Sequence, residues 1–365
     1  MKPTLPHTVF VTLLSTAACS ELATQAPQHE VQGQALAALC PDTNVFAQGL
    51  CVCDDFGIAG AVRVNAGASG AGGVGINGGA AIAGGSQVAG PLVAARELTV
   101  SGAFDASDVA TNGTLSVAGQ FHSTGNLAVG GDLTSAGAVT VDGVLSVRGM
   151  QVGTQITAAS TADYAGDVAP PCGCDPATLF DVQAAVDTAQ QQVGGNEAWQ
   201  AAGEFEVTLQ TGSYFITEAA LAGASKIRIA GDVSLFIAGD LAVAGQTAWV
   251  LENNGKLDLY VSGAISISGE AKLGEAGRSE ALRIYVGGSE NSGLGFAGGG
   301  TFYGSIYAPR ATFAVAGGTK IEGALFAKQV SASGDLEITH NQGSEQPTSC
   351  AQPPGAPSNP QPQVE

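Results

Sequence analysis

Glycine recurs every six residues between positions 113 and 149, and the positions between the glycines alternate between apolar and polar. The third residue of each hexad is apolar, the fifth is Val or Ser, and the others are mostly small or polar. This alternation predicts strands with one buried face, and a glycine at each interval permits the backbone to turn a corner. The glycines are Gly113, Gly119, Gly125, Gly131, Gly137, Gly143 and Gly149, and the third residues are Leu115, Phe121, Leu127, Leu133, Val139 and Leu145.

The hexads predict a β-solenoid. Three six-residue sides would make a coil of about 18 residues, and coils stack about 4.8 Å apart through main-chain hydrogen bonds. A single coil cannot bury its own apolar face, so the core forms only when coils stack. On this spacing, residues 57–156 would make about five or six coils. The alternative is a β-sandwich, whose strands would not need such regular spacing.

The six-residue spacing starts before the hexads. Residues 96–104 keep the alternation but are offset by one residue from Gly113, so we expect an insertion or a deletion at a corner. The earlier glycines are Gly67, Gly73, Gly79 and Gly85.

An amphipathic helix is predicted where the repeat stops. Asp175 followed by Pro176 is typical of a helix start, and the pair Gly194-Gly195 would end the helix. We expect this helix to pack as a cap or brace, and the alternative is a partner-binding stripe. Its apolar stripe is Leu179, Val182, Val186, Ala189 and Val193.

Alternating segments return after Glu204, and they are longer and richer in aromatic residues than the hexads. The chain is therefore predicted to be all-β, with a β-solenoid (β-helix) in two segments joined by one amphipathic α-helix. The predicted organisation is a signal peptide (1–18), a tether (19–39), an N-terminal hexad-repeat solenoid (40–170), a linker with a Cys-x-Cys pair and the helix (171–203), a C-terminal solenoid (204–341) and a disordered Pro-rich tail (342–365).

The N-terminus predicts export. Lys2 precedes a short apolar run, and small residues lead to Cys19. This ending is similar to a bacterial lipobox, which implies lipidation of Cys19 and a membrane partner through that anchor. The predicted location is the outer membrane or cell surface. The alternatives are ordinary secretion, which Thr16 favours because a lipobox prefers Leu there, and a buried N-terminal segment.

Six cysteines remain when Cys19 is set aside. An even number in an exported chain predicts disulfides. Neighbouring cysteines of a Cys-x-Cys pair seldom bond to each other, so pairing between the two such sites is favoured, although six cysteines allow 15 pairings. A zinc site is the alternative, but the spacing is unusual for zinc and no His lies nearby. The six are Cys40, Cys51, Cys53, Cys172, Cys174 and Cys350.

Charge and composition narrow the function classes. The net charge of −19 argues against nucleic acid, because phosphates would repel this surface. We find no Gly-x-Ser-x-Gly motif, no phosphate loop and no calcium-binding repeat, and we predict no catalytic residue, cofactor or metal. After the signal peptide, the histidines are His29, His122 and His340, none with Cys or carboxylates at ligand spacing, and His122 is expected at a solvated outward position.

A polysaccharide-processing solenoid is the enzyme alternative, and it would need clustered carboxylates. With coils of about 18 residues, only Asp105 and Asp142 approach a stacked spacing. An outward face of small polar residues could also bind sugar or ice. A regular Thr ladder would favour ice, but Thr134 and Thr140 do not repeat at the coil spacing. The candidate carboxylates are Asp105, Asp108, Asp132 and Asp142.

The second half carries a run of family-like motifs. They include Cys172-Gly-Cys174, Gly212-Ser-Tyr-Phe-Ile, Leu282-Arg-Ile-Tyr-Val-Gly-Gly and a Tyr-Ala-Pro element at 307–309. On these, residues 171–341 resemble an uncharacterised bacterial β-solenoid domain of exported surface lipoproteins and of PilX-like and choice-of-anchor A proteins. The hexad half resembles bactofilin-type polymer-forming solenoids more loosely. The resemblance carries no catalytic residue.

Together these features predict a non-catalytic structural or adhesive protein of the cell surface. The alternatives are a carbohydrate-binding or polysaccharide-processing β-helix, and a solenoid that assembles end to end through a free strand edge. The expected partners are the membrane, a surface glycan or another envelope protein, and a second copy.

Overall fold

The computed structural model describes residues 43–67, 72–288 and 293–341. Short strands dominate it, with one α-helix and 3-10 turns at Thr43–Phe46 and Ser279–Ala281. The first set of strands is β1 (Leu50–Val52), β2 (Phe56–Ile58), β3 (Val62–Ala66), β4 (Val74–Ile76), β5 (Ala80–Ile82), β6 (Ser86–Val88), β7 (Leu92–Ala94), β8 (Leu98–Val100), β9 (Ala103–Ala106), β10 (Val109–Thr111), β11 (Leu115–Val117), β12 (Gln120–Ser123), β13 (Leu127–Val129), β14 (Leu133–Ser135), β15 (Val139–Val147), β16 (Gln151–Val152) and β17 (Ile156–Thr161).

Helix α1 (Val182–Val193) follows, and the second set of strands comes after it. These are β18 (Trp199–Ala201), β19 (Phe205–Leu209), β20 (Gly212–Ile216), β21 (Ala219–Ile229), β22 (Asp232–Ile237), β23 (Leu241–Leu251), β24 (Lys256–Val261), β25 (Ile265–Ser268), β26 (Ala271–Leu273), β27 (Leu282–Val286), β28 (Gly293–Ala297), β29 (Gly300–Val315), β30 (Thr319–Ala332) and β31 (Leu336–His340).

The strands wind into a three-sided β-solenoid, so the predicted fold class is confirmed. Each strand pairs in parallel with the strand on the same side of the next coil, as Val74 does with Leu92. The one-residue offset between residues 96–104 and Gly113 is caused by a deletion and not by an insertion. The interval between the inward residues Phe104 and Val109 is one residue shorter than the regular hexad, so the coil that begins at Leu92 is also one residue shorter than the coil before it.

We name the three sides face A, face B and face C. Face A holds β20, β22, β24, β27, the middle of β29 and β30, β1, β4, β7, β10, β13 and the ends of β15 and β17. Face B holds β18, the starts of β21 and β23, β25, β28, the ends of β29 and β30, β2, β5, β8, β11, β14 and β16. Face C holds β19, the ends of β21 and β23, β26, the starts of β29 and β30, β31, β3, β6, β9, β12, the start of β15 and the start of β17.

The two halves form one uninterrupted stack, and the order of coils in space differs from the order in sequence. The first half begins in the middle of the stack and runs outward to β17. The chain then returns along the outside, and the second half begins at the opposite end and runs back to the middle. There β30 pairs with β1 and β2, and β31 pairs with β3.

We call the level at which β30 and β31 pair with β1, β2 and β3 the junction. Twelve ladder steps on face A separate β20 from the end of β17. At about 4.8 Å a step, the solenoid is about 60 Å long.

One hydrophobic core runs through both halves. Inward side chains of the first half, where the coils are short, are mostly Leu, Val, Ile and Ala. The second half has longer coils, since Val233 pairs with Leu257, whereas from Val74 onward the paired residues of the first half, such as Val74 and Leu92, lie closer together in sequence. Its core adds large buried rings such as Trp249 and Phe302. The core is continuous across the junction because Leu50 stacks on Leu325.

The helix is present but begins later than the sequence predicts. Asp175 instead closes a turn, in which its carbonyl accepts from the Thr178 amide at 2.9 Å. The N-cap is Asp181, whose side chain accepts from the Ala184 amide at 3.1 Å. Two aspartates thus carry the same capping signal, and the tertiary position of the second decides where the helix starts.

Corner glycines at the junction allow two backbones to approach closely. A Cβ on Gly60 would lie 2.2 Å from the Gly334 carbonyl oxygen, a distance that requires the backbone to move. A Cβ on Gly85, at a comparable corner in the first half, would meet nothing within 4 Å. The first glycine is therefore required by packing, and the second is not.

We predict that Gly60→Ala destabilises the protein and that Gly85→Ala does not. Overpacking at Gly60 should cost about 1–3 kcal/mol of unfolding free energy. Gly85→Ala should be neutral or stabilising by less than about 1 kcal/mol, because Ala restricts the unfolded chain. Denaturant unfolding under non-reducing conditions measures both. Equal effects of the two substitutions would contradict the close approach at the junction.

Candidate functional surfaces

Face A of the second half carries an outward ladder of aromatic rings. The rings of Phe236, Tyr260 and Tyr285 stack with centroid separations of 4.7 and 4.8 Å. They are buried although they point outward, because helix α1 covers them with Val182, Ala185, Val186 and Ala189. The ladder consists of Phe215, Phe236, Tyr260, Tyr285, Tyr307 and Phe326.

Burial sets the chemistry of the tyrosines in this ladder. It raises the pKa of Tyr285 well above the ordinary value and that of Tyr307 to about 12. The Tyr307 hydroxyl also accepts from the Phe180 amide at 2.9 Å, which holds the start of the helical segment on the ladder. Both hydroxyls are neutral near pH 7, so the helix docks on an uncharged aromatic surface.

A buried ion pair lies beside the ladder. The Arg283 guanidinium donates to both carboxylate oxygens of Asp258, at 2.6 and 3.1 Å. Burial alone would lower the pKa of Arg283, but Asp258 and Tyr285 more than offset it, so the pKa is raised. The two parallel hydrogen bonds of this pair lock two neighbouring coils in one register.

The returning segment, residues 162–174, which we call the strap, covers face A of the first half. Its Val168 amide donates to the Asn112 side chain at 2.8 Å, and its Cys172 amide donates to Asn77 at 3.0 Å. Gly75 is needed beneath it, because a Cβ there would lie 3.0 Å from Cys172 Sγ.

Two disulfides fix the strap at the junction. They join Cys51 to Cys172 and Cys53 to Cys174, each with a sequence separation of 121. Each Cys-x-Cys site therefore bonds to the other site, not to itself. Cys51 continues the aromatic ladder on face A, where it lies between Phe326 and Gly75. The disulfide at Cys51 therefore lies at the boundary between the part of face A that helix α1 covers and the part that the strap covers.

Among the described residues nothing covers face B, and its strands there carry no charge. The outward column contains only small or uncharged side chains over the whole length of the solenoid, and a shallow groove of about 510 Å³ lies along it in the second half. The column is Gln200, Ala220, Ala242, Ser266, Gly295, Ala314, Ser331, Gly57, Ala81, Thr99, Ser116, Thr134 and Val152.

Thr99, Ser116 and Thr134 on face B stack on consecutive coils, and the hydroxyls of Ser116 and Thr134 lie 3.2 Å apart. Hydroxyls therefore do repeat at the coil spacing, but over three coils only.

Face C is charged. Arg228 donates to Glu206 at 2.6 Å and also pairs with Glu252, so one cation spans three coils. Near the junction, Lys320 lies 3.3 Å from Glu337. At the corner towards face B, Lys272 lies 5.8 Å from the ring centroid of Tyr303, beside an open groove of about 560 Å³.

His122 on face C is not the isolated solvated side chain that the sequence predicts. Its Nδ1 lies 3.0 Å from Asp105 Oδ1, and its Nε2 lies 3.0 Å from Asp142 Oδ2. These hydrogen bonds, first to Asp142 and then to Asp105, raise the pKa of His122 above 6.5. Because of the deletion between β9 and β10, Asp105 comes into register with His122 on the next coil. A search that assumes a constant coil length misses this contact.

The other predicted carboxylates serve local structure. Asp108 and Asp132 accept from the amides of Asn126 and Met150, each at 2.7 Å and each one coil later. Within residues 43–67, 72–288 and 293–341, no three His, Cys, Asp or Glu side chains are grouped to hold a metal ion. In the same ranges, no helix is long and apolar enough to cross a membrane.

Several predictions lie outside the described residues. They are the signal peptide (1–18), Cys19, the tether (19–39), Cys40, the tail (342–365) and Cys350.

The fold and surfaces above define the protein as a three-sided β-solenoid with a helical side cover. Residues 173–346 match the model of a family described as a domain of unknown function, DUF7305. No curated protein matches the chain.

Among solved structures, the chain is similar to the DUF3494 domain of ice-binding protein 1 from Shewanella frigidimarina. The identity is 15% and the TM-score 0.21, over 60% of this chain and 92% of that chain. The assignment to a solenoid rests on the strand pairing described above.

We predict that His122 titrates above pH 6.5 and that Asp142→Asn lowers its pKa more than Asp105→Asn does. The pKa of His122 is higher in the folded than in the unfolded state, so this contact stabilises the fold in full below the unfolded pKa of about 6.5. The stabilisation is lost as the pH rises through the folded pKa. Because the group is about 37% exposed, the gain should be below about 1 kcal/mol. NMR titration of the imidazole measures the pKa. An unshifted value in the wild type would contradict the three-residue cluster.

Proposed function

We propose that this protein is an exported, non-catalytic structural component of the cell surface, held by a lipid on Cys19. It presents a rigid solenoid side-on to the membrane. The observation that carries the proposal is the position of the chain ends. Both described ends lie at the junction, where the His340 Nε2 lies 3.1 Å from the Phe46 carbonyl oxygen and Ala66 pairs with His340.

Attachment at the middle has a mechanical consequence. A lipid on Cys19 would connect to the solenoid through residues 20–42, and the described chain begins at the junction and not at a tip. One tip of the solenoid then projects on each side of the attachment point. Faces B and C of both halves stay available, and these are the surfaces on which a glycan or another envelope protein would bind.

The stapled strap supports a mechanical role. Disulfides persist in oxidising compartments such as the bacterial periplasm and the cell surface. Here they join the junction coil to the strap, so a pull on the N-terminal tether reaches both halves through covalent bonds. The resemblance of residues 171–341 to surface lipoprotein domains agrees with this role.

We predict that the two halves of the membrane-bound protein lie equally far from the bilayer on average. Thr134 and Ala242 are matched labelling sites, because each is exposed and is the fifth outward position of face B counted from the junction, in opposite directions. A fluorophore at either site should show equal energy transfer to acceptors in the bilayer, and a label at Ala81 near the junction should show a similar value, because a rod that lies side-on keeps all three sites at one height.

The control is Cys19→Ser, which should abolish membrane binding. Retained binding in this variant would contradict the anchor. Binding through Cys19 with one label much closer to the bilayer than the other would contradict the side-on arrangement but not the anchor.

A further inference from the structure

The first half ends in an open strand edge. Strand β16 pairs with β14, and β17 pairs with β15. Among the described residues, no strand pairs with their other side. Unpaired N–H and C=O groups along such an edge are a template for another strand.

The same edge exposes apolar side chains. Met150 and Val152 are 67% and 55% exposed, and they are the exposed large hydrophobic residues of the described part. Behind them, the inward Ile156 and Ala158 are only partly buried, whereas inward side chains one coil earlier are fully buried. The interior of the solenoid is thus incompletely closed at this tip.

The strap leaves this tip open. The chain turns away at Ala162, whose amide donates to the Leu145 carbonyl. Its next contacts are with Arg148 on the side of the solenoid. The guanidinium carbon of Arg148 lies 4.6 Å from the centroid of the Tyr164 ring, and Asp167 forms an ion pair with the same guanidinium. These contacts direct the strap back along face A.

The opposite tip is built differently. Within the described ranges its terminal coil has unpaired strands too, but Trp199, Phe205 and Tyr214 fill the interior and are buried. Acidic residues surround that coil, so two such tips would bring like charges together; these are Glu197, Glu204 and Glu206. Residues 149–162, in contrast, contain no charged residue and no proline. Protection against pairing is present at one tip and absent at the other.

We propose that two copies of this chain associate tip to tip through β16 and β17, which gives a dimer and not a filament. A two-fold axis across the solenoid brings the same edge of both copies together with antiparallel strand directions, so each unpaired strand of one copy faces an unpaired strand of the other.

A second copy fits this edge better than the remainder of the chain does. Six of the 15 prolines lie in residues 343–365, and proline cannot donate to a ladder. Residues 19–39 show no alternation of apolar and polar positions that would match a strand edge.

The expected interface is small. Sides of six residues give a triangular tip with edges of about 20 Å. Two tips together would bury on the order of 500 Å², below the usual lower limit for a stable specific interface. The dimer should therefore dissociate at low concentration, and it should form independently of the lipid anchor.

The test uses the full chain with Cys19→Ser, so that association through lipid does not contribute. Sedimentation over a range of concentrations should show a monomer–dimer equilibrium, and small-angle scattering of the dimer should give a maximum dimension about twice that of the monomer. Val152→Lys should weaken dimerisation at least tenfold, because it places two charges in the paired edges. Ala81→Lys is the matched control, since it adds the same charge at an exposed face B position near the junction.

Each other outcome overturns the proposal. A monomer at all concentrations, with slow amide exchange in β16 and β17, would mean that another part of the same chain occupies the edge. A monomer with fast exchange there would mean that the edge stays free. Oligomers larger than a dimer, or a dimer equally sensitive to both substitutions, would place the interface elsewhere. Unfolding temperatures of both variants establish that each is folded.

Discussion

The parallel ladder that crosses the junction is the constraint on which the structure depends. A coil of this chain has no core of its own, so each coil is stable only when a neighbour covers its apolar edge. The first coil of the N-terminal half would leave Leu50, Phe56 and Val62 uncovered on one side. The last coils of the C-terminal half cover all three, through β30 and β31. Each half thus caps the other, and together they make one core.

This arrangement explains the cover on face A. Because the first half runs outward from the middle and the second half starts at the opposite tip, the chain must travel back along the outside. The strap and α1 are that return path. In the second half the path is long enough for a helix, and the outward side chains beneath it are aromatic. In the first half it is an extended strap, and the outward residues beneath it are small, such as Gly75 and Ala110. The size of the outward side chains on face A therefore matches the segment that covers them, with large rings beneath helix α1 and small residues beneath the strap.

The three faces then differ in what they can do. Face A is largely buried beneath the strap and helix α1. Face C carries charges that pair along the stack, so that Arg228 and His122 each connect neighbouring coils. Face B is the long, uncharged surface that the described part of the chain leaves uncovered. The two tips differ as well, because one is filled by aromatic rings and surrounded by acidic residues, while the other is uncharged and exposes apolar side chains. The surfaces available for an external role are therefore face B, the face C groove beside Tyr303 and the open tip.

The sequence predicts the local units better than their order in space. Glycine and apolar residues at six-residue spacing predict the strands, the corners, the three sides and the coil length, because these depend on neighbouring residues. The junction has no such signal, since Leu50 and Leu325 lie in repeats that look alike and either could stack elsewhere. The contact of His122 with two carboxylates depends on a one-residue deletion at a distant corner. The helix start is predicted at Asp175 but lies at Asp181, because both residues carry the capping signal.

Amide hydrogen exchange in the intact, oxidised chain tests the junction most directly. The Cys53 amide donates to the Ala327 carbonyl at 3.0 Å, the Ala59 amide to Ala332 at 2.8 Å, and the Leu336 amide to Ala61 at 2.9 Å. If the two halves form one stack, these amides should exchange as slowly as those in the middle of the first half, such as that of Leu115. Exchange much faster than that of Leu115 would show that the halves are separate solenoids, and it would contradict the account.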